Sequence, residues 1–234
     1  MTTAIILAGG LGTRLRDTVP DLPKPMAPIN GRPFLEYQLD YWIGQGVKRF
    51  VLSVGYRHEA ITEHFAITYG GVPLDYAIEP SPLGTGGGLL LAAERLSGKA
   101  AFLLLNGDTY FEVELAALRG FHGGKKADCT FALFHAPEVG RYMGMDIAAD
   151  GRVTSLKSGA SKLGRLANGG VYLMNPEVLH IGGWKPGDKV SLEDDILPAA
   201  FDSGCRFYGF ECSGMFIDIG VPEDYFRAPG LLVA

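Results

Sequence analysis

Thr3-Ala4-Ile5-Ile6-Leu7-Ala8-Gly9-Gly10-Leu11-Gly12-Thr13-Arg14-Leu15 stands at the start of the chain, and Pro23-Lys24-Pro25 follows soon after. The short apolar run up to Leu7 reads as a buried parallel strand. The chain then enters a turn poor in side chains. Gly9, Gly10 and Gly12 let the backbone approach a ligand closely and expose its N–H groups, which suits phosphate oxygens. Arg14 adds a planar fork of donors, and Lys24 a movable point charge. The prolines on both sides of Lys24 restrict the backbone, so the lysine is presented from a stiffened segment. Together these are the requirements of a polyphosphate site.

Two other phosphate loops do not fit. A dinucleotide fingerprint needs a third glycine three residues after the second, where this chain has Leu15. A Walker A loop ends in Gly-Lys-Ser/Thr, whereas Gly12 is followed by Thr13-Arg14.

At 234 residues the chain is long enough to bury a large core. Its 47% hydrophobic and 20% charged residues are ordinary for a globular protein. The net charge of −5 offers no general attraction for nucleic acid or an anionic membrane. An anionic substrate therefore needs a local positive field, which Arg14, Arg16 and Lys24 supply. No apolar run spans a bilayer, and the N-terminus has no signal-peptide pattern. Cys129, Cys205 and Cys212 have no CxxC spacing, which points away from a disulfide framework or zinc site and toward the cytoplasm.

The first half alternates between strand and helix patterns. Leu35, Leu39, Trp42 and Ile43 share a helical face that ends at Gly44 and Gly46. Phe50–Val54 reads as a strand, 58–65 as a helix, Leu74–Ile78 as a strand and 85–96 as a helix. Ala101–Asn106 is the most apolar strand. This order predicts a parallel sheet with helices on both faces and a ligand at the carboxyl ends of the strands. The turn at Gly9, the loop from Glu79 to Gly88 and Asn106-Gly107-Asp108 all fall there. From residue 128 on, short strand-like segments follow: 129–134, 145–148, 153–156 and 170–174. They are expected as antiparallel additions covering the open side of the site. A helix is expected over 191–201, with Ser191 as its cap. The division is one domain over 1–234, with the change of pattern separating a half at 1–127 from a half at 128–234.

Asp108 follows the apolar strand directly, and Asp218 lies alone in Phe216-Ile217-Asp218-Ile219-Gly220. Isolated carboxylates are costly to bury unless they are paired or bind a metal. Converging on a polyphosphate, the two suit a hard divalent cation such as Mg²⁺. A turn-forming role for Asp108 and a capping role for Asp218, ahead of Val221-Pro222-Glu223, are the plainer alternatives. Glu79 is an acceptor-only carboxylate that can take two adjacent donors at once; a solvated loop acid is the alternative. The five histidines show no cluster or triad spacing, and Tyr142 and Tyr172 read as packing residues.

Residues 7–15, Pro23-Lys24-Pro25, Pro82-Leu83-Gly84-Thr85-Gly86-Gly87, Asn106-Gly107-Asp108, Asn168-Gly169-Gly170-Val171-Tyr172 and Asp218-Ile219-Gly220-Val221-Pro222-Glu223-Asp224-Tyr225 occur in the order known from the sugar-1-phosphate nucleotidyltransferases, which the chain resembles over nearly its whole length. It most resembles their short D-glycero-α-D-manno-heptose 1-phosphate guanylyltransferases. The resemblance implies an α/β fold, Rossmann-like, with three α/β/α layers and a mixed, mainly parallel sheet. It implies a nucleoside triphosphate, GTP by preference, a sugar 1-phosphate and Mg²⁺ as the bound species.

By the same resemblance, Leu7, Ala8, Gly9, Gly10, Gly12, Thr13, Arg14, Glu79, Gly84, Thr85, Asn106 and Gly107 hold the nucleotide. Arg14, Lys24 and Asp108 are catalytic, and Asp108 with Asp218 holds the metal. Gly144, Asn168 and Glu193 meet the sugar. Many relatives carry Glu-Glu-Lys after the strand at 153–156, where this chain has Lys157-Ser158-Gly159; Lys157 and Lys162 are the nearby substitutes. A uridylyl- or thymidylyltransferase and a catalytically silent nucleotide-sensing subunit are the rival readings. The presence of Arg14, Lys24, Asp108 and Asp218 favours an active enzyme.

Overall fold

Strand β1 (Thr2–Leu7) lies at the centre of the molecule because both its faces are apolar. Ala4 and Ile6 point into one core, and Ile5 into the other. The computed structural model describes residues 2–10, 15, 18–136, 142, 144–157 and 164–232.

After β1, the small strands β2 (Pro28–Ile29) and β3 (Arg32–Pro33) form a hairpin that leads into α1 (Phe34–Gly44). Strand β4 (Val47–Val54) and helix α2 (His58–Phe65) follow, then β5 (Thr68–Tyr69), β6 (Val72–Ile78) and α3 (Gly84–Ala93). Next come β7 (Phe102–Asn106), β8 (Thr109–Phe111), α4 (Leu115–Lys125) and β9 (Cys129–His135). The short strands β10 (Asp146–Ile147) and β11 (Val153–Ser155) precede the long β12 (Leu166–Met174). A π-turn at Leu192–Ile196 runs into α5 (Leu197–Asp202), and β13 (Phe207–Glu211), β14 (Phe216–Asp218) and α6 (Pro222–Leu231) complete the order.

The main sheet has eight strands in the order β13-β9-β12-β7-β1-β4-β6-β5. Strands β7, β1, β4 and β6 are parallel, as the alternating pattern predicts. Only β12 and β5 run against the rest, so the sheet is mixed and mainly parallel. Helices α1, α2 and α4 pack Leu35, Leu39, Trp42, Ile61, Phe65, Leu115 and Leu118 on one face. Helices α3 and α5 pack Leu89, Leu90, Leu197 and Ala200 on the other. A third apolar cluster joins Leu15, Ile29 and Phe34 to Ile217, Ile219 and Ala228, fastening α6 to the start of the chain.

Two sequence expectations change. Strands β9 and β12 do not cover the open side of the site; they extend the main sheet, and β13 joins β9 in parallel. Their runs are buried on both faces, as a central strand requires, rather than alternating as a one-sided cover would. The expected helix from Ser191 begins as a π-turn. Ser191 does cap it, its Oγ accepting from Asp194 N at 3.0 Å. Pro198 lacks the N–H that would bond back to residue 194, and the wider turn precedes it, with Leu197 N donating to Leu192 O.

The segment before that turn is seated on glycines. A Cβ at Gly84 would lie 2.7 Å from Val190 O, and Gly84 has a φ of +79°. Gly84→Ala therefore combines left-handed strain with a backbone clash. A cost of about 3 kcal/mol is expected, lowering Tm by roughly 10 °C. Gly10 has nothing within 4 Å of its Cβ position, so Gly10→Ala in the same thermal melt should stay close to wild type.

Candidate active site

Strands β1 and β7 end side by side, and their turns are tied together. Gly107 N donates to Leu7 O at 3.0 Å and Ala8 N to Ser53 O at 2.7 Å. These turns form the floor of a cavity of about 750 Å³. Leu7, Ala8, Gly9, Gly10, Asn106, Gly107 and Asp108 line it together, as the strand-end rule predicts. Gly12, Thr13 and Arg14 lie outside the described residues, as does Lys162.

The register of β14 against β8 brings the two acids to one place. Asp218 pairs with Thr109, the residue after Asp108, and Ile219 N donates to Asp108 O at 2.9 Å. Asp218 is thus a strand residue, and α6 begins after Val221 with no side-chain cap. A Cβ at Gly220 would sit 2.7 Å from Asp218 Oδ1 and 3.1 Å from both Asp108 Oδ2 and Lys24 Nζ. The bare glycine keeps that space open. Lys24 Nζ donates to Asp108 Oδ2 at 2.9 Å, and Gly220 N to Asp218 Oδ1 at 2.7 Å. Among the described residues no group of three or more His, Cys, Asp or Glu side chains is arranged to hold a metal. Two carboxylates suit an ion that takes its other ligands from water and phosphate oxygens.

At another part of the cavity, Glu79 N extends the β6 ladder by donating to Val54 O at 2.8 Å. The carboxylate is half-buried. Its Oε2 accepts from Leu83 N at 3.0 Å, and its Oε1 from Ser53 Oγ at 3.4 Å. Burial raises its pKa above the ordinary value, while the Leu83 amide and Ser53 hydroxyl pull it back. Gly9 and Gly88 leave room for this carboxylate: a side chain at either would crowd Oε1.

Gly84, Thr85 and Asn168 also line the cavity. Thr85 Oγ1 is already engaged, donating to Glu193 Oε2 at 2.6 Å and accepting from Leu192 N at 2.9 Å. Asn168 sits at a bulge in β12, where its Oδ1 accepts from Gly170 N at 3.0 Å and its Nδ2 donates to Tyr172 Oη at 2.7 Å. Glu193 and Gly144 are not among the described lining residues. Glu193 is tied to Thr85 instead, and Gly144 bridges Ala167 with the Arg165 side chain packed over it. Lys157 pairs with Asp194 at 2.5 Å, away from the lining.

The structure adds residues that sequence reasoning missed. Lys189 lines the cavity, as do Tyr142 and Phe216. Phe216 stacks on Phe134 at 3.8 Å, with Tyr142 edge-on to both. Tyr172 is a buried packing residue, as expected. Gln38, buried on α1, braces the floor by donating to Asn106 O at 2.8 Å and to Thr109 O. The polar residue on an otherwise apolar helix face was the available signal for Gln38. No histidine or cysteine is among the described lining residues.

The nucleotidyl transferase family matches residues 3–232. The chain belongs to that family. It is 42% identical over 225 residues to the D-glycero-alpha-D-manno-heptose 1-phosphate guanylyltransferase of Aneurinibacillus thermoaerophilus, covering 96% of each chain. The protein of the same name from Campylobacter jejuni is 37% identical, over 96% of this chain and 97% of that one. Among solved structures, HddC from Yersinia pseudotuberculosis complexed with GMP-PN has a TM-score of 0.84 at 34% identity, covering 99% of both chains. These likenesses agree with the three-layer fold of this nucleotidyl transferase. No helix among its described residues is long and apolar enough to cross a membrane.

Proposed function

We propose that this nucleotidyl transferase moves GMP from GTP to a sugar 1-phosphate, D-glycero-α-D-manno-heptose 1-phosphate by preference, releasing pyrophosphate and forming a GDP-sugar. The observation that carries the base assignment is Glu79: a half-buried, acceptor-only carboxylate in the cavity, with glycines giving it space. Its two engaged contacts leave acceptor capacity for the adjacent donors of guanine. The relatives named as heptose 1-phosphate guanylyltransferases support the same choice.

An oxygen of the acceptor phosphate attacks the α-phosphorus, and the bond to the β-phosphate breaks. That oxygen is already anionic near neutral pH, so no strong general base is required. The absence of histidine from the described lining suits such a reaction. The protein has to align two polyanions and counter the charge that moves to the leaving group. The backbone at Leu7–Gly10, with Gly12, Thr13 and Arg14, receives the triphosphate. Lys24, steered by Asp108, meets the reacting phosphates. Asp108 and Asp218 would hold Mg²⁺, which would supply charge neutralisation at the transferring phosphate; oxygens of both carboxylates lie close to Gly220, where a side chain would crowd them.

In this reading, residues 1–127 carry most of the nucleotide contacts and 128–234 most of the acceptor contacts, with Asn168 nearest the sugar. Gly84 and Thr85 shape the nucleotide wall, while Glu193 acts through Thr85 and Gly144 through the backbone near Arg165. The three free cysteines suit a reducing cytoplasm, and a GDP-activated heptose is a donor for cell-surface polysaccharide.

Pyrophosphate release, measured with Mg²⁺ across a matrix of nucleoside triphosphates and sugar 1-phosphates, tests the proposal. GTP with the heptose 1-phosphate is expected to give the highest kcat/KM. Preference for UTP or dTTP overturns the base assignment, and silence with every pair overturns the activity.

A further inference from the structure

Among the described residues that line the cavity, one cation is left unmatched. Among the described lining residues, Lys24 and Lys189 are cationic. Lys24 is matched by Asp108 at 2.9 Å. The carboxylates near Lys189 in sequence are all engaged elsewhere. Asp188 Oδ2 accepts from Lys185 N at 2.9 Å, and Glu193 Oε2 from Thr85 Oγ1 at 2.6 Å. Asp194 pairs with Lys157 at 2.5 Å, and Asp195 Oδ2 accepts from Ser191 N at 2.8 Å.

The backbone on both sides of Lys189 is anchored. Val190 N donates to Leu83 O at 2.9 Å, and Val190 O accepts from Gly86 N and Gly87 N at 3.0 Å each. Asp188 N donates to Lys185 O at 3.0 Å. A fixed backbone thus presents a flexible stem with a single mobile charge at its end.

We infer that Lys189 holds the phosphate of the acceptor sugar. The assignment rests on the two-substrate reading above and follows from charge. The triphosphate already has the glycine-loop amides, Lys24 and the cation that Asp108 and Asp218 would hold, all carried at the ends of β1, β7 and β14 or on the segment before α1. A second anion brought beside it is repelled unless it has a cation of its own. Lys189 enters from a separate wall, the segment docked on the first turn of α3, and is the described lining cation that remains. On this segment the charge that meets the acceptor phosphate is therefore Lys189.

Steady-state kinetics of wild type, Lys189→Ala, Lys189→Arg and Lys185→Ala, with GTP and the heptose 1-phosphate, test this. Lys189 is exposed, so its variants should fold, and a thermal melt checks that. Lys189→Ala is expected to raise KM for the sugar phosphate about tenfold or more while KM for GTP stays within about twofold. Lys189→Arg should recover most of the loss. Lys185→Ala removes the same charge outside the lining and should match wild type. A rise confined to KM for GTP, or no change in either KM, overturns the inference. Should wild type turn over no pair, the proposed activity fails separately. Calorimetry of mannose 1-phosphate binding to wild type and Lys189→Ala then decides the role of Lys189: weaker binding by the variant supports it, and equal binding overturns it.

Discussion

Asp108→Asn is expected to leave a folded protein whose turnover falls about a hundredfold or more. The substitution keeps the shape of the side chain, and Lys24 can still donate to the remaining oxygen. What disappears is a negative charge beside Lys24 and opposite Asp218. A neutral amide is a poor ligand for a hard divalent cation. It also frees the Lys24 ammonium, now 2.9 Å from a carboxylate oxygen, to approach the triphosphate in the ground state. KM for GTP should therefore hold or fall while kcat collapses, marking an interaction needed in the transition state rather than in binding. Asp218→Asn should behave likewise, because its Oδ1 can keep the 2.7 Å bond from Gly220 N. Pyrophosphate release titrated with Mg²⁺ is the measurement. Both variants should need more Mg²⁺ for half-maximal rate, and near-normal turnover by either at limiting Mg²⁺ removes that residue from the metal site.

The parts of this arrangement that were legible in the sequence are those set by short-range chemistry. The run to Leu7 had to be a buried strand, and 58–65 is helical with the limits its pattern suggests. Asp108 follows the most apolar strand, so its place at the strand end was readable. The neighbours of β9 and β12 were not. Strands buried on both faces carry no local mark of which edge they join, and the pairing of β12 with β7 is a long-range choice. For Asp218 the sequence offered a metal-binding acid, with a helix cap before Pro222 as the alternative, but not its partner, which is set by a register with β8 more than a hundred residues earlier in the chain. Lys189 was invisible for the same reason. Its position depends on Val190 meeting Gly84, Gly86 and Gly87 across the molecule. Glu193 shows the same dependence: its Oε2 accepts from Thr85, a residue more than a hundred positions earlier.

Glu79→Gln should lower kcat/KM for GTP by about a hundredfold or more while changing use of UTP or dTTP far less. Guanine presents N1–H and the 2-amino group as adjacent donors. The carboxylate meets both with acceptors, after one oxygen has taken the Leu83 amide and the other, weakly, the Ser53 hydroxyl. The amide replaces one acceptor by a donor, so one guanine donor faces another in a half-buried wall and goes unpaired. Pyrimidines offer a carbonyl beside a donor and match the amide better. The raised pKa of Glu79 adds a second, independent signature. An acid whose pKa is raised by burial takes up its proton at higher pH than an ordinary glutamate, and the protonated form has lost an acceptor. In wild type, KM for GTP should therefore rise on the acid side from a pH above the usual carboxylate range. In Glu79→Gln that limb should vanish, since no proton can be gained there. The measurement is KM for GTP, UTP and dTTP as a function of pH in both proteins. Equal losses with all three triphosphates, or an acid limb that persists in the variant, would remove Glu79 from base recognition.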